Sequence, residues 1–476
     1  MTKIQEVHIQ GLDPERLAPI IGPERADRFR AVAAAAREQL AGRRVLNVNS
    51  TATGGGVAEM LQTLLAYARG AGIDAPWAVM HGNPEFFAIT KRIHNGLHRS
   101  PGDGGPLGEA EHEVYDTVTA ENASQLRELV RPGDIVLLHD PQTAGLVAPM
   151  QKAGALVVFR CHVGSDDFEE YVNRSWEFLH RYLEGADSFV FTREHFAPSW
   201  ANDGRLNIIP PSIDPFSPKN QDMDPDVAHA ILGQSGLLSG VAPGGDTGFT
   251  RRDGTPGRVD RLADILQTGP PPDVDERVVV QVSRWDRLKD MLGVMQAFEQ
   301  YVVGNSEAHL ILAGPNVSGV TDDPEGAEVL DECVAAWRTF PHAARARIHL
   351  ACLPMADVDE NAAIVNALQR HADVVVQKSL AEGFGLTVSE ALWKSRPFVG
   401  TRVGGIPDQV TDGEDGLLID DGSDLADFSG AVLRLLKDRD LAHRLGANAH
   451  ERARRDFLGD RHLEQYARLF DGLDSP

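Results

Sequence analysis

Arg284 and Lys289 stand just past an apolar run at 277–282, in a chain whose formal net charge is −24. A guanidinium can grip a phosphate with two parallel hydrogen bonds, and an ammonium adds a point charge. If the run is a buried strand of a parallel sheet, the pair sits at the strand's carboxyl end, where such sheets bind ligands. Cations there, in so acidic a chain, point to a phosphate group. Taken alone, they also fit a solvated helix start. A second cluster runs from Glu382 through Gly383, Phe384, Gly385 and Leu386 to Glu390, after an apolar run at 374–376. Glu382 falls in the glycine loop and Glu390 on a helix opening near Leu386. Both carboxylates can border a pocket above that helix start, accepting bonds from sugar or ribose hydroxyls while the helix amides face phosphate. The plainer alternative is a capping loop and a surface glutamate.

The first half of the chain carries two more clusters. Gly54, Gly55 and Gly56 close a polar loop that begins at Asn49, between an apolar run and a helical stretch. Glycines let the backbone approach a ligand closely, and the helix start favours an anion. No P-loop lysine and no G-x-G-x-x-G accompanies them, which weakens the ATPase and ordinary dinucleotide readings. His139 and Asp140 follow a run at 135–138; Arg160, Cys161 and His162 follow one at 156–159. Asp140 can accept bonds from a neutral sugar. His162 can move a proton or bond a hydroxyl, although a histidine past a strand is as readily structural.

Other features are set aside. Cys161 and His162 point to opposite faces of a strand and make no thiol–imidazole pair. His94 and His98 have i,i+4 spacing but lack the H-E-x-x-H glutamate of a zinc site. Asp322 and Asp323 read as loop. Three scattered cysteines make neither a disulfide framework nor a zinc site. Asn49, Asn122, Asn173 and Asn316 open N-x-[ST] patterns that read as chance, because no apolar run of signal-peptide length begins the chain.

These clusters need strands that end along one edge of a sheet, and the patterning supplies them. Apolar runs at 44–48, 135–138, 156–159 and 188–191 alternate with amphipathic stretches such as 57–68. The pattern restarts at 277–282, 309–313, 348–350, 374–376, 398–400 and 416–419. Strands alternating with helices imply parallel sheets covered on both faces. A Pro-, Gly- and Asp-rich segment at 214–278 separates the two series and reads as a connection with short helices at 228–232 and 259–266. Hydrophobic residues at 42% and charged ones at 24% are globular values. The acidity argues against nucleic acid or an anionic membrane as partner. No stretch nears 18 apolar residues, so a cytoplasmic protein without a membrane helix is expected.

The glutamate loop, the Arg284/Lys289 pair and the glycine loop together resemble the retaining nucleotide-sugar glycosyltransferases of family 4, in order and along nearly the whole chain. NVNSTATGGGVAEML, EFFAITKRIHNGLH, HDPQTAGL, FRCHVG, PPSID and EGFGLTVSEALWK resemble in particular the trehalose glycosyltransferring synthases, with fungal-type trehalose phosphorylases as near relatives. The resemblance implies an α/β GT-B fold, two Rossmann-like domains facing a central cleft that closes on the donor. It implies an acceptor-binding domain at 1–215, a connection at 216–275, a nucleotide-sugar domain at 276–455, and a C-terminal helix within 456–476 crossing back to the first domain. The connection is longer and richer in Gly and Pro than in the resembled family.

The implied reaction joins a nucleoside-diphosphate glucose to glucose, giving α,α-trehalose. Arg284 and Lys289 would stabilise the leaving diphosphate, with Gly54, Gly55, Gly56, Gly383, Phe384, Gly385 and Leu386 lining the donor. Glu382 would hold donor sugar hydroxyls and Glu390 the ribose. Asp140, His162, Arg160 and Glu85 would meet the acceptor. No cofactor is expected, and metal is expected to be dispensable. The expected partners are nucleoside-diphosphate glucose, glucose and trehalose, with a homodimer as the candidate assembly. Phosphorolysis of trehalose, another family 4 transfer, and a non-catalytic sugar-nucleotide sensor are the alternatives. The complete cation pair and both glutamates argue against the sensor.

Overall fold

The apolar runs become strands and the periodic stretches become helices in the computed structural model, which describes residues 3–52, 55–317 and 324–473. The chain divides into two units, Met1–Ser212 with Phe457–Pro476, and Ile213–Asp456. In the first unit the strands are β1 (Gln5–Val7), β2 (Val45–Asn49), β3 (Trp77–Val79), β4 (Ile135–His139), β5 (Leu156–Cys161), β6 (Ser188–Phe191) and β7 (Leu206–Ile208). Their order is β1-β3-β2-β4-β5-β6-β7, all parallel except β1 against β3. Chain order reverses between β2 and β4, which leaves a switch point at their carboxyl ends.

Side-chain alternation along each strand assigns the two faces. Val136, Leu138, Val157 and Phe159 pack beneath Phe86, Tyr115 and Leu179 of the helices Pro84–Leu97, Glu109–Leu129 and Glu170–Leu183. Ile135, Leu137, Val158 and Val190 face the other way, against Tyr466, Leu469 and Phe470 of the terminal helix Gly459–Leu473. That helix is pinned at its start. Arg25 Nη2 donates to the buried Asp460 carboxylate at 2.7 Å, and Arg461 donates to the carbonyls of Pro210 and Pro211, each at 2.7 Å.

The second unit repeats the plan. Its strands are β8 (Gly248–Thr250), β9 (Pro256–Arg258), β10 (Asp264–Leu266), β11 (Val278–Val282), β12 (His309–Pro315), β13 (Ile348–Leu353), β14 (Val374–Gln377), β15 (Phe398–Thr401) and β16 (Leu417–Ile419). The main sheet runs β10-β13-β12-β11-β14-β15-β16, parallel except β10 against β13, and β8 and β9 form a separate hairpin. Its switch point lies between β11 and β14.

Much of the 214–278 segment is built into this second unit. The helix read at 228–232 is present as Pro225–Gln234, packed against Val358–His371. The helix read at 259–266 is corrected: Asp264, Ile265 and Leu266 pair with Cys352, Ala351 and Leu350 as the edge strand β10. Leu262, within that stretch, is 70% exposed. An open edge of β13 presents a row of unpaired backbone groups, and pairing with it outweighs a weak local helical pattern. Among the described residues no helix is long and apolar enough to cross a membrane.

Candidate active site

In the second unit, both loops that leave the switch point are tied together by one buried strand residue. Gln281 of β11 donates from Nε2 to the Lys289 carbonyl (2.7 Å) and accepts the Lys378 N–H at Oε1 (3.2 Å). Leu380 N–H adds a bond to the Leu288 carbonyl at 2.8 Å. This brings Lys289 against Glu382, with Nζ 2.7 Å from Oε2, and Ser379 Oγ donates to the same oxygen at 3.2 Å. Both side chains are largely buried, so the pair is screened little. Arg284 lies on the same loop, half exposed, with Nη2 donating to Asp286 at 2.8 Å.

Lys378 is fully buried and ion-paired to Asp290. Asp290 has φ +47° and caps the helix Met291–Ala297, accepting from Gly293 N–H at 3.1 Å. A non-glycine residue held there carries about 1–3 kcal/mol of strain. The ion pair and the cap hold it in place beside Lys289. The glycine loop is braced from the turn after β15: Gly405 N–H donates to the Gly383 carbonyl at 3.0 Å, and Gln409 reaches the Phe384 carbonyl. Gly404, at φ +51°, lies against the backbone of Glu382. Gly385 is left-handed and opens the helix Leu386–Trp393. Glu390 is buried on that helix, its Oε1 3.5 Å from Lys219 Nζ.

In the first unit, Asp140 follows β4 at φ 66°, ψ 172°, a region that side-chain-bearing residues rarely adopt. Its Oδ1 accepts the His162 N–H at 2.7 Å, and its own N–H donates to the Arg160 carbonyl at 2.8 Å. Tyr115 Oη fixes the turn that follows, donating to the Pro141 carbonyl and accepting from Gly145 N–H at 3.2 Å. His139 and His162 are stacked, with Nδ1 and Nε2 respectively 3.1 Å apart, and His139 Nε2 lies 3.0 Å from Asn47 Oδ1. Asn47 spends its N–H on the Val45 carbonyl at 3.1 Å. The network therefore assigns His139 Nε2 and His162 Nε2 as donors and leaves His162 Nδ1 an acceptor. Burial, reinforced by the Arg160 charge, pushes His139 down to about 3 and His162 well below the usual imidazole range. Both rings are neutral near pH 7. Burial pushes Asp140 up to about 6.

The switch points thus bring together Lys289 with Glu382, and Asp140 with His162. Gly55 has φ +82° and, with Gly56, begins the helix Gly56–Gly70 as exposed backbone, while Gly54 lies outside the described residues, as do Asp322 and Asp323. Arg160 is fully buried beneath the Asp140 turn. Glu85 is exposed in the first turn of Pro84–Leu97, and among the described residues no hydrogen bond or ion pair joins it to Asp140 or His162. Sequence reasoning passed over Asn47, Gln281, Lys378 and Lys219. A lone polar residue inside an apolar run, as in VLNVN and VVVQV, was the available signal for the first two. Lys378, directly after VVVQ, had a similar one. Nothing local marks Lys219.

Solved structures share this fold. An Escherichia coli structure, trehalose-6-phosphate bound with UDP-2-fluoro glucose, superposes with TM-score 0.65 at 14% identity, covering 91% of this chain and 99% of that one. Sucrose-phosphate synthase from Thermosynechococcus elongatus gives 0.61 at 18% identity, covering 90% and 99%. Residues 357–452 match the family described as glycosyl transferases group 1. The two parallel-rich sheets are those of the GT-B fold, and the group 1 match makes the chain a glycosyltransferase. Residues 47–198 match the family described as trehalose synthase, N-terminal domain. Trehalose synthase from Rubrobacter xylanophilus is 36% identical over 91% of this chain and 92% of its own length, and that from Pyrococcus horikoshii 33% identical over 95% of each. The chain belongs to the trehalose synthase family.

Proposed function

We propose that this chain transfers glucose from a nucleoside-diphosphate glucose to free glucose with retention, forming α,α-trehalose, and runs the reaction in reverse when supplied with trehalose and nucleoside diphosphate. The observation that carries the reading is the Lys289–Glu382 pair at the second sheet's switch point: a cation for a leaving phosphate held against a carboxylate for sugar hydroxyls. The trehalose synthases among its relatives support the sugar.

In this reading the bond from the anomeric carbon to the diphosphate oxygen breaks, and the electron pair leaves with that oxygen. Lys289 and Arg284 offset the charge that develops there, with the Leu386 helix start adding backbone N–H groups. Glu382 holds donor hydroxyls, and Glu390 exchanges Lys219 for the ribose. Asp140 and His162 Nδ1 accept hydrogen bonds from the acceptor glucose. The acceptor's anomeric hydroxyl oxygen forms the new bond on the face the phosphate leaves, and its proton passes to the departing phosphate oxygen. A double displacement would need a carboxylate beneath the anomeric carbon; no residue has been assigned that place.

The test is one panel. The protein is incubated with glucose and UDP-, ADP- or GDP-glucose, with and without EDTA, and products are separated. A non-reducing disaccharide from at least one donor, surviving EDTA, is the expected result. Dependence on Mg²⁺ would contradict charge compensation by Lys289 and Arg284 alone. Trehalose phosphorylase from Pleurotus pulmonarius is 25% identical over 83% of this chain, which spans about half of that protein. Cleavage of trehalose by phosphate, with no product from any donor, would replace transfer with phosphorolysis.

Activity should also fall on acidification. Asp140 accepts sugar hydroxyls as a carboxylate, and protonation turns one acceptor oxygen into a donor. With its pKa at about 6, kcat/KM for glucose is full above that pH and drops tenfold per unit below it. The buried histidines stay neutral through this window. A profile flat down to pH 4.5 would remove Asp140 from the acceptor's contacts.

A further inference from the structure

Val45 and Asn47 point to the same face of β2, the face that the terminal helix covers, and Leu137 and His139 of β4 share it. With Val45, Leu64, Leu137 and Phe470, Asn47 lines a cavity of about 70 Å³ whose other walls, Tyr466 apart, are apolar. A buried amide in such surroundings is costly unless its polar atoms are met, and two bonds meet it. Nδ2 donates to the Val45 carbonyl at 3.1 Å, and Oδ1 lies 3.0 Å from His139 Nε2. The carbonyl decides which way the amide faces, because a flipped amide would set Oδ1 against the Val45 oxygen. His139 Nε2 therefore carries the proton, since a bare nitrogen there would meet a second acceptor. Burial keeps both rings neutral, so His139 Nδ1 is bare and accepts from His162 Nε2, 3.1 Å away. The row ends at His162 Nδ1, a lone pair that no hydrogen bond engages among the described residues.

We propose that Asn47 is a positioning residue that sets acceptor specificity: through His139 it holds His162 in the Nε2–H tautomer, so that the acceptor edge offers a lone pair and selects a sugar presenting a hydroxyl as donor. This rests on the reading of His162 as a group that meets the acceptor. The three side chains come from β2, from its neighbour β4, and from the residue just past β5, so strand order lays them in one row across the sheet. Every bond in the row has one direction, and Asn47 sets it. Without the Asn47 oxygen, His139 can carry its proton on Nδ1 and donate to His162 Nε2. His162 then carries its own proton on Nδ1 and offers the sugar a donor in place of an acceptor. A sugar whose hydroxyl is replaced by fluorine has no proton to donate, so it is rejected by the native row and tolerated by the reversed one. Asn47 thereby acts on the sugar through two rings.

Ring ¹⁵N spectra of histidine-labelled protein near pH 7 test the row without turnover, in native protein and Asn47→Leu, with signals assigned through His139→Gln and His162→Gln. Native protein is expected to show both rings in the Nε2–H form alone, and Asn47→Leu to show the Nδ1–H form at both. A merely structural role lowers the melting temperature and leaves the tautomers as they were; that result in a folded variant overturns the proposal. Asn47→Ala, which only enlarges a cavity already present, gives the same reading if the leucine variant does not fold. The specificity arm compares kcat/KM for glucose with its monodeoxyfluoro analogues as acceptors. Native protein is expected to prefer glucose at one ring position by about tenfold or more, the worth of one hydrogen bond, and Asn47→Leu to lose about tenfold of that preference. An unchanged preference in a variant whose tautomers have moved also overturns the proposal. Failure of the native protein to transfer to glucose from any donor counts against the reaction proposed above, while the ¹⁵N spectra still decide whether Asn47 directs the row.

Discussion

Lys289→Ala lowers kcat about 10²–10³-fold, the loss that accompanies removal of one preorganised electrostatic contact to a developing charge. The structure adds a stability term that sequence alone does not supply. Lys289 is the ion-pair partner of the mostly buried Glu382, so its removal leaves that carboxylate with the Ser379 hydroxyl. The accompanying destabilisation is about 1–3 kcal/mol, between the values for exposed and buried pairs. Arg284→Ala behaves differently. Its side chain is half exposed on the same loop and donates to Asp286, so stability stays within about 0.5 kcal/mol while kcat falls by a similar factor. Rates and denaturant midpoints measured on both variants separate the two effects. A folded Lys289→Ala protein with near-native kcat would end its assignment to the leaving group, and with it the mechanism.

Gly404→Ala lowers activity about 10²-fold and costs more stability than the left-handed backbone of this buried turn alone would. A Cβ at this position would stand 1.7 Å from the Glu382 carbonyl oxygen, a separation no rotamer change can relieve. The backbone of 382–385 or of 404–405 must shift, and Glu382 shifts with it. A misplacement of about 1 Å at such a site is worth about 10²-fold in rate. The left-handed φ of +51° adds about 1–2 kcal/mol for any residue with a side chain, so the total is about 3 kcal/mol or more. Gly413 is the control: its φ is +76°, and a Cβ there meets nothing within 4 Å. Gly413→Ala carries the conformational term alone, about 1 kcal/mol, with kcat unchanged. If Gly404→Ala matches Gly413→Ala in urea midpoint and rate, the brace on Glu382 is not what positions it.

The residues that could do chemistry were legible because each follows an apolar run, and a strand's carboxyl end is where a parallel sheet exposes groups to a ligand. Arg284, Lys289, Glu382, Asp140 and His162 were found in that way. Strands buried on both faces read as continuous apolar runs, so β2, β4, β5, β6, β11 and β14 were found with them. The short strands β1, β3, β7 and β10 carry too few residues for a periodic signal, and β10 was misread as helix. Pairing with β13 decided it, over a distance of some 85 residues of chain.

The sequence by itself determined the two α/β series, the loops that bear the polar groups and the likeness to a sugar-transferring family, because these depend on residue type, local spacing and order. Tertiary structure decided which groups meet. Strand order put β11 beside β14, and Gln281 bridged their loops so that Lys289 reached a carboxylate 93 residues away. It put β4 beside β5, stacking His139 on His162 and turning the Asp140 carboxylate onto the His162 N–H. It also sent Arg160, read from the sequence as a contact to the acceptor, inward beneath the terminal helix. Whether a side chain two residues along a strand faces a ligand or a helix depends on which face that helix covers, and that choice is made by packing between elements some 300 residues apart.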